Sequence, residues 1–147
     1  MKIFDLIKIK LDELPNLDCI NLGEETNLSG EKVIFYSLLL DEKEMGLFDT
    51  LKISVLPNNE RTYTFSTLDK VSSVINRIKM LVNDLYSIYG EDGCNNGKFT
   101  RDDEEDLLNE EQGFWIGRDY IIDYYPGVML GISDQIGLYL QISTWRY

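Results

Sequence analysis

The stretch LDKVSSVINRIKMLVNDLYSIY, residues 68–89, decides the fold because it is the clearest regular element of the sequence. Its apolar residues recur every three or four positions, which places them on one stripe of an α-helix. The stripe contains Leu68, Val71, Ile75, Ile78, Val82, Leu85 and Tyr89, widened by Val74, Leu81 and Ile88. Ser66 or Thr67 precedes it as an N-cap, and Gly90 follows as a helix-ending residue. A stripe this wide favours a helix packed on a sheet over a coiled coil.

Alternating apolar and polar residues before the helix predict strands. The predicted strands are residues 2–11, 47–56 and 61–65, and the last two form a hairpin. The continuous apolar run of residues 31–40 predicts a strand covered on both faces. Residues 12–31 are rich in Gly, Asn and Glu and predict a loop.

The chain after the helix begins with a Gly- and Asn-rich loop, residues 91–99, and a short acidic helix, about 101–111, capped by Thr100. Alternation then predicts an antiparallel meander. Residues 114–118 and 120–125 form one bent strand or two, and residues 128–132 and 136–142 form further strands after a turn at Pro126-Gly127. The order of elements predicts an α+β fold. It consists of a mostly antiparallel sheet with the long helix on one face, in a single domain spanning residues 1–147.

The chain of 147 residues carries a net charge of −12. Such acidity excludes nucleic acid and anionic membranes as expected partners, because both are bound through Lys and Arg. Asp5, Lys8 and Lys10 interrupt any signal peptide, and no apolar run reaches the ~18 residues of a membrane span. We therefore expect a cytoplasmic protein.

The sequence contains no histidine, which removes the commonest general base, nucleophile activator and metal ligand. Cys19 and Cys94 form no metal or redox motif, and whether they meet stays open. The glycines match no phosphate-binding loop. We expect no enzyme and no cofactor, with a catalytic carboxylate pair among the 26 acidic residues as the open alternative.

Residues 92–103 partly resemble the calcium-binding loop of an EF-hand, with a predicted helix on each side. Asp92 stands at position one, Asn96 at position five and Gly97 at the position of the required turn glycine. Cys94 at position three and Asp103 at position twelve depart from the pattern, because calcium prefers carboxylate oxygen and a bidentate Glu there. The alternative is a polar loop whose Thr100 caps the next helix. We therefore predict no metal-binding residues.

Residues 91–111 hold nine acidic and two basic residues, a net −7 of the chain's −12. This segment is either a solvated acidic helix or a docking face for a basic protein. An aromatic segment follows it directly. Its side chains are either core residues, since alternation buries one face of a strand, or exposed Trp, Tyr and Arg of the kind typical of binding hot spots. The predicted partner-binding residues are Asp102, Asp103, Asp106, Glu110, Glu111, Trp115, Arg118 and Tyr120.

The size, the acidity, the α+β order and the tail GFWIGR, residues 113–118, followed by strands through GLYLQI, residues 137–142, resemble the small acidic immunity proteins of bacterial polymorphic-toxin systems. The resemblance implies a stoichiometric inhibitor that blocks a basic toxin by surface complementarity. The sequence therefore favours a non-catalytic protein-binding module. The alternative is a small-ligand or calcium-binding domain that uses the 92–103 loop or an aromatic-lined pocket.

Overall fold

The computed structural model of the chain describes residues 20–57, 60–109, 115–122 and 125–143. They form a seven-stranded antiparallel sheet with two α-helices, which confirms the predicted α+β class. The strands are β1 (Ile20–Thr26), β2 (Lys32–Glu44), β3 (Phe48–Val55), β4 (Arg61–Thr67), β5 (Arg118–Ile122), β6 (Tyr125–Ser133) and β7 (Gly137–Ser143). The helices are α1 (Ile75–Tyr89) and α2 (Arg101–Leu108), and a 3-10 turn at Val71–Ser73 precedes α1.

The strand order in the sheet is β1-β2-β3-β4-β7-β6-β5. The first four strands form one meander and the last three form another, so the predicted 47–56/61–65 hairpin and the C-terminal meander are confirmed. β4 pairs with β7, and this pairing joins the two meanders into one sheet. β1 and β5 therefore lie at opposite edges.

One face of the sheet carries the hydrophobic core, because alternate residues of β3, β4, β6 and β7 point to the same side. Ile78, Leu81, Val82 and Leu85 of α1 pack into that core. The strand residues of the core are Phe48, Leu51, Ile53, Tyr63, Phe65, Tyr120, Val128, Leu130, Leu138, Leu140 and Ile142. The opposite face presents the residues between them, and the pairing register aligns Lys52, Thr64, Gln141, Met129 and Asp119 in one row.

The long helix begins later than its apolar stripe predicts. The segment before Ile75 is the short 3-10 turn, and Leu68 is 80% exposed. Thr67 accepts a hydrogen bond from the backbone N–H of Asp69, a local contact that lies before the 3-10 turn and caps no helix. Gly90 ends α1 with a positive φ of 78°, as predicted. No helix in the described ranges is long and apolar enough to cross a membrane.

Several strand predictions need correction. Residues 20–26 are predicted as loop but form β1. The pairing of β1 with β2 is irregular next to Gly23, and this irregularity accommodates the φ of 112° at that glycine. β2 is not covered on both faces, since Leu39 is 79% exposed. Pro126 and Gly127 lie within β6 beside an irregularity in the β5–β6 pairing. The predicted strand at residues 2–11 lies outside the described residues.

Candidate functional site

The loop between α1 and α2 closes around the carboxylate of Asp92, which is buried. Its Oδ1 accepts a hydrogen bond of 2.9 Å from the backbone N–H of Gly97. Its Oδ2 lies 3.4 Å from both the Cys94 backbone nitrogen and the Asn96 side-chain nitrogen. Gly97 turns the chain with a φ of 66°, a conformation that favours glycine. The loop therefore folds around a buried acceptor of its own.

Contacts from neighbouring elements hold this loop in place. The Phe99 backbone N–H donates to Asn83 Oδ1 on α1 at 2.9 Å, and the Gly93 N–H donates to the Asp119 carbonyl of β5 at 2.7 Å. Lys98 Nζ lies 5.4 Å from the centre of the Tyr86 ring. These contacts tie the loop to both the helix layer and the edge of the sheet.

A reciprocal capping box starts α2. The Asp103 N–H donates to Thr100 Oγ1 at 3.3 Å, and the Thr100 N–H donates to Asp103 Oδ2 at 2.8 Å. This exchange satisfies two backbone donors that a helix N-terminus otherwise leaves without partners. Because the cap needs it, the Asp103 side chain points back into the protein, and the residue is only 8% exposed.

Arg118, the first residue of β5, lies at the centre of the contacts between this loop, α2 and the sheet. Its side chain is 1% exposed, and its guanidinium makes a bidentate ion pair with Asp103, with Nη1–Oδ1 and Nη2–Oδ2 distances of 3.0 and 2.7 Å. The remaining three N–H groups donate to the carbonyl oxygens of Gly97 (2.9 Å), Gly117 (2.8 Å) and Lys98 (3.2 Å). All five guanidinium donors are thus satisfied.

Asp103 is held as a carboxylate by these neighbours. Burial raises its pKa, but hydrogen bonds from Arg118, Thr100 and Trp115 outweigh burial and bring the pKa below its ordinary value. The Trp115 bond runs from Nε1 to Asp103 Oδ1 at 2.9 Å. The three buried side chains of Asp103, Trp115 and Arg118 therefore form one internal network that joins α2 to β5.

Two polar atoms beside this network, Asp119 Oδ1 and Tyr120 Oη, are buried without a hydrogen-bond partner among the described residues. Burial, followed by the charge of Asp92, raises the pKa of Asp119. The same two causes, in the same order, raise the pKa of Tyr120 to about 12. The Tyr120 ring packs on Tyr89 of α1 with ring centres 5.6 Å apart. Tyr120 is therefore a neutral core residue.

The structure divides the predicted partner-binding residues. Asp102 and Asp106 lie exposed on α2. Asp103, Trp115, Arg118 and Tyr120 are buried. The capping box turns the Asp103 side chain inward, away from the exposed carboxylates of Asp102 and Asp106. Glu110 and Glu111 lie outside the described residues.

A cleft of about 450 Å³ opens beside α2 and is the candidate site. Its walls include three exposed acids of α2, and Ile116 contributes an apolar side chain that is 59% exposed. Asp103 and Arg118 also border it. The residues that border the cleft are Asn95, Asn96, Thr100, Asp102, Asp103, Glu105, Asp106, Ile116 and Arg118.

Sequence reasoning missed Glu105 and Ile116. Glu105 stands three residues after Asp102 and one before Asp106, so helical spacing places the three acids close together and was a usable signal. Ile116 carried no signal, because a single apolar residue in a sequence does not show whether its side chain is exposed. Leu108 is 57% exposed, while Leu107 is buried.

The described residues contain no cluster of three or more His, Cys, Asp or Glu side chains arranged to hold a metal ion. In the 92–103 loop, Asp92 and Asp103 accept hydrogen bonds from the protein's own donors. Cys94 is exposed and forms no disulfide with another described residue. Cys19 lies outside the described residues, so their pairing stays open.

Comparison of the chain with protein-family models, with curated proteins and with solved structures gave no match. The site is therefore interpreted from its own geometry and charge.

Proposed function

We propose that the protein is a non-catalytic binding module that recognises a basic partner protein through the acidic cleft beside α2. The single observation that carries the proposal is the cleft itself. It combines three exposed carboxylates, Asp102, Glu105 and Asp106, with one exposed apolar side chain, Ile116. An apolar contact within a charged rim is common at protein interfaces.

The charge of this region suits a basic partner. Residues 91–111 carry a net −7, and Asp103 adds no repulsion at the surface because Arg118 neutralises it inside. The exposed acids outnumber the one exposed base of α2, Arg101, which forms an ion pair with Glu105. A field of one sign over a cleft speeds the approach of an oppositely charged protein.

The rigidity of the cleft supports binding without rearrangement. α2 is fixed at its N-terminus by the capping box and by the buried Arg118 ion pair. A pre-organised surface avoids the entropy cost of ordering loops on association. The buried carboxylates of this region, Asp92 and Asp103, are occupied by structural hydrogen bonds, which supports a binding role over acid–base chemistry.

The most specific form of this proposal is an immunity-type inhibitor, which would neutralise a basic toxin by covering its surface. Its test begins with affinity capture of the partner from the native host, followed by kinetics with the purified pair. The double variant Asp102→Lys/Asp106→Lys reverses two charges of the cleft. Because steering depends on those charges, we expect the association rate at low salt to fall about tenfold or more.

The matched control is Glu24→Lys/Glu25→Lys, which changes the net charge equally on the exposed edge strand β1. We expect this control to retain most of the association rate and its dependence on salt. A partner that binds both double variants equally well would contradict the cleft as the interface. A partner that is acidic would contradict the charge argument.

A further inference from the structure

The loop between α1 and α2 has the backbone geometry of a cation-binding loop. Asp92 at position one accepts the N–H of Gly97 at position six, where the pattern requires a turn glycine, and Gly97 has the positive φ of such a turn. Thr100 stands at position nine as the N-cap of the second helix. Asp103 at position twelve is the third residue of that helix.

The guanidinium of Arg118 contacts two of the acceptors that such a loop offers to its ion. In the calcium-binding pattern, position seven contributes a backbone carbonyl and position twelve a bidentate carboxylate. Here Arg118 Nη2 binds the Lys98 carbonyl, which is position seven. Both nitrogens of its fork bind the two carboxylate oxygens of Asp103.

We infer that Arg118 is the resident cation of this loop, so that a side chain from β5 replaces the metal ion. The substitution explains both departures of the loop from the calcium pattern. Cys94 at position three is tolerated because the guanidinium takes no bond from it. Asp103 in place of a longer Glu suffices because the planar guanidinium matches a carboxylate in a bidentate geometry.

The consequence is a helix–loop–helix unit that stays ordered without metal. In a metal-dependent loop, the second helix would move with the concentration of the ion. In this protein the cation is covalently part of the chain, so α2 keeps its position at all calcium concentrations. This inference concerns the loop alone and does not depend on the proposed partner.

The test is ligand replacement, read as the melting temperature. We expect millimolar calcium chloride, or guanidinium chloride at concentrations far below denaturing ones, to leave the wild-type protein unchanged relative to potassium chloride of equal ionic strength. Arg118→Ala should melt at a lower temperature. Each ligand should then raise the melting temperature of this variant, calcium with a dissociation constant on the order of 10⁻³ M.

Two further variants separate a cation site from a general loss of packing. Arg101→Ala removes an exposed arginine of α2 and should respond to neither ligand. Asp92→Asn/Arg118→Ala should lose the calcium response, because calcium needs the position-one carboxylate. It should keep the guanidinium response, since Arg118 makes its ion pair with Asp103.

The same ligands decide the outcome if Arg118→Ala is unfolded in buffer. They are then added during refolding, and recovery of a cooperative melting transition is the readout. An Arg118→Ala protein that responds to neither ligand would overturn the inference. A saturable rise in the melting temperature of the wild-type protein with calcium would overturn it as well.

Discussion

Arg118 and Asp103 show how one buried ion pair can define a local structure. A buried charge is costly unless its partner is well placed and its remaining hydrogen bonds are satisfied. Arg118 meets this condition with five donated bonds, and Asp103 accepts from Arg118, Thr100 and Trp115. Removing either partner leaves the other charge buried alone, so the pair is better measured through its pH dependence than through one deletion.

We predict that Asp103→Asn lowers the free energy of unfolding at pH 7 by roughly 3 kcal/mol. The folded-state pKa of Asp103 lies below its ordinary value of 3.8. Its contribution to stability is therefore present above that value and is lost as the pH falls through the folded-state pKa. The difference between wild type and variant should shrink below about pH 4. Urea unfolding at a series of pH values measures it.

The neighbouring exposed residue provides the control for this prediction. Asp102→Asn should retain the wild-type pH dependence, because Asp102 is solvated. Asp119, whose raised pKa acts in the opposite direction, is present in all three proteins and cancels in the difference. A difference between wild type and Asp103→Asn that stays constant down to pH 2 would contradict the assigned role of Asp103.

The side-chain partners of individual residues were the hardest feature to predict from the sequence. The spacing Thr100-x-x-Asp103 matches a capping box, so the inward turn of Asp103 could have been predicted. The partnership of Asp103 with Arg118 could not, because the two residues are fifteen positions apart and meet only when β5 joins the sheet. Counting acids therefore overestimated the charge that α2 presents to solvent.

At the scale of elements, Gly117 fixes the entry of the chain into β5. Its φ is +69°, and a Cβ placed there would lie 2.1 Å from the Leu130 carbonyl oxygen of β6. Neither the conformation nor the space admits a larger residue. The glycine thereby sets the position of Arg118, which follows it directly.

We predict that Gly117→Ala lowers the free energy of unfolding by about 2–4 kcal/mol, because the backbone of β6 must also move. Gly30 is the matched control, since its φ of +79° is similar and a Cβ there would meet nothing within 4 Å. Gly30→Ala should cost about 1 kcal/mol from conformation alone. Equal losses in chemical denaturation would show that the close approach at Gly117 has no effect.

The elements differ in how far their sequences predict them. α1, β3, β4 and β7 were predictable because they bury one regular face against a common core. β1 was missed because it is an edge strand with exposed polar residues and a glycine irregularity, which read as a loop. The start of α1 was misplaced because Leu68 and Val71 continue the apolar spacing into a segment that forms a 3-10 turn.

At the scale of the whole molecule, the uneven charge predicts a response to salt. The chain carries −12, and more than half of this lies in residues 91–111. Raising the ionic strength from 0.01 to 0.15 M shortens the Debye length from about 30 to about 8 Å and screens this repulsion. We expect the melting temperature to rise by a few degrees, as roughly 1 kcal/mol of stability would produce.

The two charge variants locate the source of this response. Asp102→Lys/Asp106→Lys should reduce the rise with salt more than Glu24→Lys/Glu25→Lys, although both change the net charge equally. Melting curves in sodium chloride and in potassium chloride measure this change of melting temperature with salt, and the measurement needs no partner protein. A melting temperature that falls with salt, or equal slopes for the two variants, would contradict a repulsion centred on α2.

The order of strands in the sheet has a consequence for synthesis on the ribosome. β4 is complete at Thr67, but its neighbour β7 begins only at Gly137, about seventy residues later. At a translation rate of about 5–20 residues per second, the open edge of β4 must wait several seconds for its partner. During that time the first meander of the nascent chain has an unpaired edge at β4. A chaperone could cover this edge, and a slow codon between the two strands would lengthen the time for which it is exposed.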